Sequence, residues 1–201
     1  MLAAIAVSAA LSGAALFGDP ELAAALGGMH PAPGAWVEYL IRSRGAGDAR
    51  VRVTALAEGA GGGYWLEVAT VHESGIAGAA RLLVRGDDGS AIERMSVMVA
   101  GQQPLEIPLE RLGPALPAPR AIPRVQRLGS ARVRVAAGAF AAEVSRAADA
   151  TVWRAAGVPL WGLVKARSRR RSIELLAFGA SGGRSVFPAG RDHGNGSDSE
   201  K

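Results

Sequence analysis

The chain has 201 residues, 49% of them hydrophobic but only 5% aromatic, which predicts one globular domain with a core of Ala, Val and Leu and excludes a disordered chain. It has no cysteine, so a disulfide framework, a thiolate metal site, a cysteine nucleophile and a lipid-modified N-terminal cysteine are all excluded. The net charge of +5 comes almost entirely from Arg, which permits attraction to phosphate or an anionic membrane but also fits a composition rich in Ala, Gly and Arg.

No charge occurs from Met1 to Phe17. That run is shorter than the ~20 residues that usually cross a bilayer. Its length and its small residues near Ala14 and Ala15 match a secretory signal, though no Lys or Arg precedes the apolar part. Residues 1–18 are therefore expected to be a signal peptide or an apolar N-terminal segment. The protein is expected to be exported, to the periplasm or the outer envelope. An uncleaved anchor and a buried helix are the alternatives.

A single β domain is expected over 19–188. It begins with a short helix: Asp19 can cap it, Pro20 takes the first helical position, and Gly27-Gly28 ends it. From Trp36 the hydrophobic period is two. Val37, Tyr39 and Ile41 share a face, as do Val51, Val53, Ala55 and Ala57. Further alternating runs hold Leu66 and Val68, Leu82 and Val84, Met95 and Val97, and Leu105 and Ile107. Pro108, Pro114, Pro117, Pro119 and Pro123 then block helix and central strand, which predicts a long loop or edge crossing. Alternation resumes through Val133, Val135, Phe140, Val144, Val152, Leu163, Ile173 and Leu175. The tail over 189–201 has almost no apolar residue and is expected to be disordered.

About ten short strands joined by Gly-rich turns predict a mainly β fold, a curved antiparallel sheet forming a half-barrel or open barrel. With no long amphipathic helix to cover the apolar face, a ligand, a loop or the N-terminal segment must fill the concave side. The candidate ligand-binding residues on that face are Leu66, Val68, Leu82, Val97 and Val135, with Trp153 and Trp161 at its rim.

Catalytic motifs are weak. Gly179-Ala180-Ser181-Gly182-Gly183 matches the nucleophile elbow G-x-S-x-G, which needs a strand before the serine and a helix after it. The following RSVFPAG is too short for that helix, so a Gly-rich turn explains the match and no catalytic residue is assigned. His30, His72 and His193 have no metal-ligand spacing. Gly59–Gly63 and Asp87-Asp88-Gly89 read as hairpin turns rather than phosphate or calcium loops. Strand-face carboxylates such as Glu67, Glu93 and Glu143 are expected to be solvated or paired with Arg. No metal and no cofactor is expected.

Lys165, Arg167, Arg169, Arg170 and Arg171 put five cations within seven residues. A polar hairpin tip near Ser168 to Arg170 accounts for them, since charges at edges and tips discourage strand pairing between molecules. A contact with anionic lipid headgroups or an acidic partner is the functional alternative. No nucleic-acid partner is expected, because no aromatic residues interleave with the cations to stack on bases.

VRVAAGAFAAEV (Val133 to Val144) resembles the V-P-A-G-T-F hairpin of small bacterial envelope proteins with a curved antiparallel sheet. VWRAAGVPLWGLVK (Val152 to Lys165) resembles their later W…V-P…G-x-V-K segment. Some of these proteins are related to the lipoprotein-carrier and lipoprotein-acceptor (LolA/LolB-like) half-barrels. This chain departs from the pattern with Ala136 in place of Pro and Ala139 in place of Thr. The resemblance implies a half-barrel whose concave face holds an acyl chain or a hydrophobic segment, and it carries over no catalytic residue. The expected function is that of an exported, non-enzymatic envelope protein that shelters a lipid, acyl or lipoprotein ligand. The alternatives are a structural or interaction module with a self-filled core and, third, a serine hydrolase acting through Ser181. The oligomeric state is left open.

Overall fold

The computed structural model describes residues 20–26, 28–45, 47–58, 63–72, 75–85, 91–99, 102–108 and 124–188. The expectations for the apolar run 1–17, the cap Asp19, the Gly-rich turn at 59–62, the turn at 87–89, the proline-rich stretch 109–123, His193 and the tail lie outside these residues.

The fold is mainly β, as the alternation predicts. The short helix α1 (Pro20–Leu26) precedes strands β1 (Trp36–Ser43), β2 (Gly47–Glu58), β3 (Tyr64–His72), β4 (Gly75–Arg85), β5 (Ala91–Val99) and β6 (Leu105–Ile107). After these come β7 (Val125–Val135), β8 (Gly138–Ala147), β9 (Ala150–Arg154), β10 (Leu163–Arg167) and β11 (Arg171–Gly179). All eleven strands form one antiparallel sheet in the order β6-β5-β4-β3-β2-β1-β11-β10-β9-β8-β7. The first and last strands therefore pair at its middle, Tyr39 opposite Leu175 and Ile41 opposite Ile173. Every step across the sheet reverses direction, so the two edge strands β6 and β7 run the same way. Joining them would require a parallel pair, and the sheet stays open at that seam.

The curvature is strong. In the sheet order β8 is three strands from β11, roughly 14 Å along the sheet at ~4.8 Å per strand. Yet the Phe140 ring on β8 lies 6.0 Å from that of Phe178 on β11, and the Ala137 N–H in the β7–β8 turn donates to the Leu175 carbonyl at 3.3 Å. The hairpin tip thus curls back onto β11.

The inner face is apolar because the register stacks aliphatic rows. Val53 faces Val68, Val68 faces Ala80, and Ala80 faces Val97; Leu66 faces Leu82, which faces Met95. Helix α1 adds Leu22, Ala25 and Leu26, and Met29 follows, so the N-terminal segment fills part of the concave side. Two expectations fail by parity. A bulge between Ala55 and Glu58 shifts the register, and Ala57 is exposed rather than sharing the core with Val51, Val53 and Ala55. On β8, Ser145 lies opposite the core residue Val152, while Val144 lies opposite Trp153.

The outer face is not simply solvated. After β11, residues 180–188 form a strap across β1 to β4. The Gly183 N–H donates to Gly34 O at 2.8 Å, and Phe187 is buried against Ala69 and Ala79. A Cβ on Gly183 would sit 2.7 Å from Thr54 Cγ2 and 2.8 Å from Gly34 O, so only glycine allows this close approach. Glu67, expected to be solvated or paired with Arg, is 2% exposed beneath the strap. It accepts hydrogen bonds from the Val186 N–H at 2.8 Å and the Ser185 hydroxyl, with Arg81 at 3.7 Å. Glu38 on β1 is also buried, against Arg50 at 2.6 Å and Arg52 at 2.8 Å. Each buried carboxylate is thus matched by cations or donors, without which its desolvation would be prohibitive.

Candidate functional site

The segment VWRAAGVPLWGLVK runs from β9 through the loop Ala155–Gly162 into β10. The loop is closed on itself: the Ala155 N–H donates to Gly162 O at 2.8 Å, Val158 N–H to Ala155 O at 3.1 Å, and Gly162 N–H to Pro159 O at 3.3 Å. Leu160 and Gly162 both have positive φ, 63° and 70°. For Leu160 that geometry costs about 1–2 kcal/mol, offset by a side chain that is fully buried in the core. The His30 N–H donates to Leu160 O at 2.9 Å, tying the loop to the chain that leaves α1. Tyr39 donates its hydroxyl proton to the Leu163 carbonyl at 3.2 Å from inside the sheet, and burial pushes its phenol well above the usual tyrosine range.

Between this loop, the entry segment Gly28–Ala35 and β8 lies a half-open cleft of about 650 Å³. Its walls are mostly small and apolar, with Ala141, Ala142, Ala156 and Val158 beside Trp161. The polar side chains that line it are His30, Ser130, Glu143 and Arg154. Arg154 Nη1 donates to Leu26 O at the C-terminus of α1 at 2.6 Å, and its Nη2 lies 3.8 Å from Glu143. The volume is within the range of small-molecule sites. Pro159 and Leu160 also line it, and their carbonyl groups are already engaged by the N–H groups of Gly162 and His30.

The seven candidate ligand residues do not converge on this cleft. Leu66, Val68, Leu82 and Val97 are brought together by register, but buried against the chain's own side chains. Val135 is partly buried and packs on the same core. Trp153 is half-buried, with Val144 on one side and Lys165 on the other. Trp161 alone of the seven lines the cleft. The alanines and the entry segment were missed because small residues on a strand carry no pattern that distinguishes a wall from a filler.

Among the candidate cations, Lys165 lies within the sheet and donates to Glu174 at 2.8 Å. That hydrogen bond, with the charges of Lys165 and Arg42, holds the Glu174 carboxyl below its usual range. Arg169 pairs with Asp149 at 2.9 Å. Arg167 and Arg170 are exposed, and Arg171 is half-buried. The Ser168 N–H donates to Arg171 O at 2.8 Å, closing the expected tip. Ser181 is exposed where β11 passes into the strap, and among the described residues no helix follows it.

No family model matches the sequence, and no curated protein does. Among solved structures, a Bacteroides fragilis protein taken to be exported and having a YmcC-like fold is similar, with 10% identity and a TM-score of 0.39, over 76% of this chain and 99% of that one. At that level of likeness nothing about the chemistry of this chain follows. A relation to the LolA/LolB-like half-barrels is not among these findings.

Proposed function

We propose that this is an exported, non-enzymatic protein of a bacterial envelope that shelters a hydrophobic ligand. The observation that carries the reading is the half-open cleft of about 650 Å³ beside Trp161, seven of whose lining residues are alanine. Alanine walls can accept an acyl chain without side-chain rearrangement, and burial of a methylene is worth about 0.8 kcal/mol. The concave core around Leu66 and Leu82 is filled by the chain itself, so the ligand belongs in the cleft and not in the core.

The test is titration of a fluorescent fatty-acid analogue. Ala141→Trp places a large ring at the cleft wall on an exposed position, and should weaken binding at least about tenfold while leaving the melting transition in place, the equivalent of about 1.4 kcal/mol. Native mass spectrometry of protein taken from its own host should show bound lipid. A wild-type protein that binds no acyl analogue and carries no lipid is a module with a self-filled core, and the ligand reading is then wrong. For export, N-terminal sequencing of the native protein should find a start between about Ala15 and Asp19.

A further inference from the structure

The strand register collects arginines that are far apart in sequence. Strands β8 and β9, β10 and β11, and β1 and β2 turn at the same end of the sheet, where β7 begins: Val125 lies opposite Ala147, Arg167 opposite both Thr151 and Ser172, and Arg42 opposite both Ser172 and Asp48. That end therefore gathers Arg42 and Arg44, Arg124 and Arg127, Arg146, and Arg167 with Arg169, Arg170 and Arg171. The Arg44 N–H donates to Arg170 O at 2.9 Å, which joins two of the turns directly.

Their pairing differs from the rest of the molecule. Elsewhere Arg50, Arg52, Arg81, Arg85, Arg94 and Arg154 each face a carboxylate. At this end, among the described residues, Arg42 pairs with Asp48 and Glu174, and Arg169 with Asp149. Arg44, Arg124, Arg127, Arg146, Arg167 and Arg170 are exposed and form no ion pair among the described residues. Scatter through composition explains single unpaired arginines such as Arg132, Arg134 and Arg184. It does not explain six at one end of a sheet whose other arginines are mostly matched.

Apolar side chains lie beside them. Val125 and Leu128 on β7, each 42% exposed, are two of the three large aliphatic residues that the described residues leave in solvent. From β7 to β1 the basic end spans roughly 24 Å along the sheet, five strand spacings of ~4.8 Å. Cations spread over such a width, with aliphatic side chains at one margin, match a surface of phosphates above hydrocarbon.

We propose that this end of the sheet docks on an anionic lipid bilayer, its unpaired arginines on headgroup phosphates and Val125 and Leu128 reaching the acyl boundary. The contact is separate from the cleft and stands whether or not the cleft holds a ligand. An acidic protein surface would satisfy the arginines but leaves the two aliphatic side chains without a reason to be exposed.

The test is co-sedimentation of the full chain with vesicles of phosphatidylcholine alone or mixed with phosphatidylglycerol. Binding should require the anionic lipid and weaken steeply as salt rises above about 0.1 M, where the Debye length is ~10 Å. Each cation near such a surface multiplies partitioning roughly fivefold, so R44Q/R167Q/R170Q should lower it about a hundredfold. The control R132Q/R134Q/R184Q removes the same charge elsewhere and should change it less than about threefold. V125S/L128S should weaken the part of binding that survives high salt. All eight of these arginines and aliphatics are exposed, and circular dichroism should show both triple variants folded. Equal binding to both vesicle types, or equal loss in the two triple variants, overturns the proposal. So does binding to soluble polyglutamate with none to vesicles, which would make the partner an acidic protein.

Discussion

Replacing Glu67 by Ala should release the strap that crosses the outer face. The carboxylate is 2% exposed and holds the Val186 N–H at 2.8 Å and the Ser185 hydroxyl, with Arg81 at 3.7 Å. Arg81 in turn stacks over the Phe187 ring at 4.4 Å. Hydrogen bonds to a charged group are worth about 1.5–3 kcal/mol each, and the half-buried Arg81 loses its carboxylate partner as well. Relaxation of the strap into water recovers part of this, so the expected loss is about 3 kcal/mol out of a total of about 5–15. For a domain of this size that lowers Tm by about 6–12 °C. Glu67→Gln keeps an acceptor for Val186 and should lose about half as much. Phe187→Ala removes the other anchor. Because both act on one strap, the double variant should fall short of the sum by about 1–2 kcal/mol. Urea denaturation measures the energies, and trypsin cleavage after the exposed Arg184 should accelerate in either single variant. A loss below about 0.5 kcal/mol for Glu67→Ala, with additive behaviour in the double variant, would show that the strap is not held by this carboxylate.

Gly162→Ala should cost about 1–2 kcal/mol, because φ is 70° there and the new Cβ would stand 3.1 Å from Ala155 O; the same change should disturb the cleft and show as altered Trp161 fluorescence. Leu66→Ala should cost about 2–5 kcal/mol in denaturant, as for any fully buried core leucine, with no specific effect on acyl-analogue binding by the fraction that remains folded. The folded pKa of Glu174 lies below its unfolded value, so its stabilisation is complete above the ordinary carboxylate range and is lost as pH falls through the folded value. Glu174→Gln should remove about 1 kcal/mol at neutral pH and flatten the decline of stability as pH falls below the ordinary carboxylate range. A fluorophosphonate probe should not label the protein; labelling that disappears in Ser181→Ala would make it a serine hydrolase.

Most of the sheet was legible because one side of it is dry. Val51 and Val53 alternate with Arg50 and Arg52, and a strand with one buried face produces that pattern. The helix was legible for a different reason, since Pro20 and Gly27-Gly28 mark its limits chemically. The pattern misled where a bulge broke the period, at Ala57, and where both faces of a strand are covered. On β3, Glu67 and Ala69 look like the wet side of an amphipathic strand, yet both are buried. What buries them is RSVFP (Arg184 to Pro188), a segment with no periodicity whose Ser185 and Val186 bond to Glu67 and whose Phe187 packs on Ala69. Long-range docking of an irregular segment leaves no local mark, except here the Ser and Phe flanking Val186, which read as loop residues.

The candidate surfaces were less legible than the fold, and the basic end shows why. The sequence displays one dense cluster, from Lys165 to Arg171, and that cluster is a poor guide to the surface. Lys165 faces Glu174 within the sheet, and Arg169 is paired with Asp149. Of the six arginines at this end without an ion pair among the described residues, only Arg167 and Arg170 belong to that cluster; Arg44, Arg124, Arg127 and Arg146 come from three other stretches of chain, which no window of residues would group. What groups them is the order of strands. Because β1 pairs with β11, the first hairpin is set beside the last, and because β7 runs alongside β8, the chain that emerges after the proline-rich stretch enters at the same end. A sheet whose termini meet in its middle brings early and late residues to one edge of the molecule. Charge density along the chain measures how a turn is solvated; charge density across the register measures what the surface can bind.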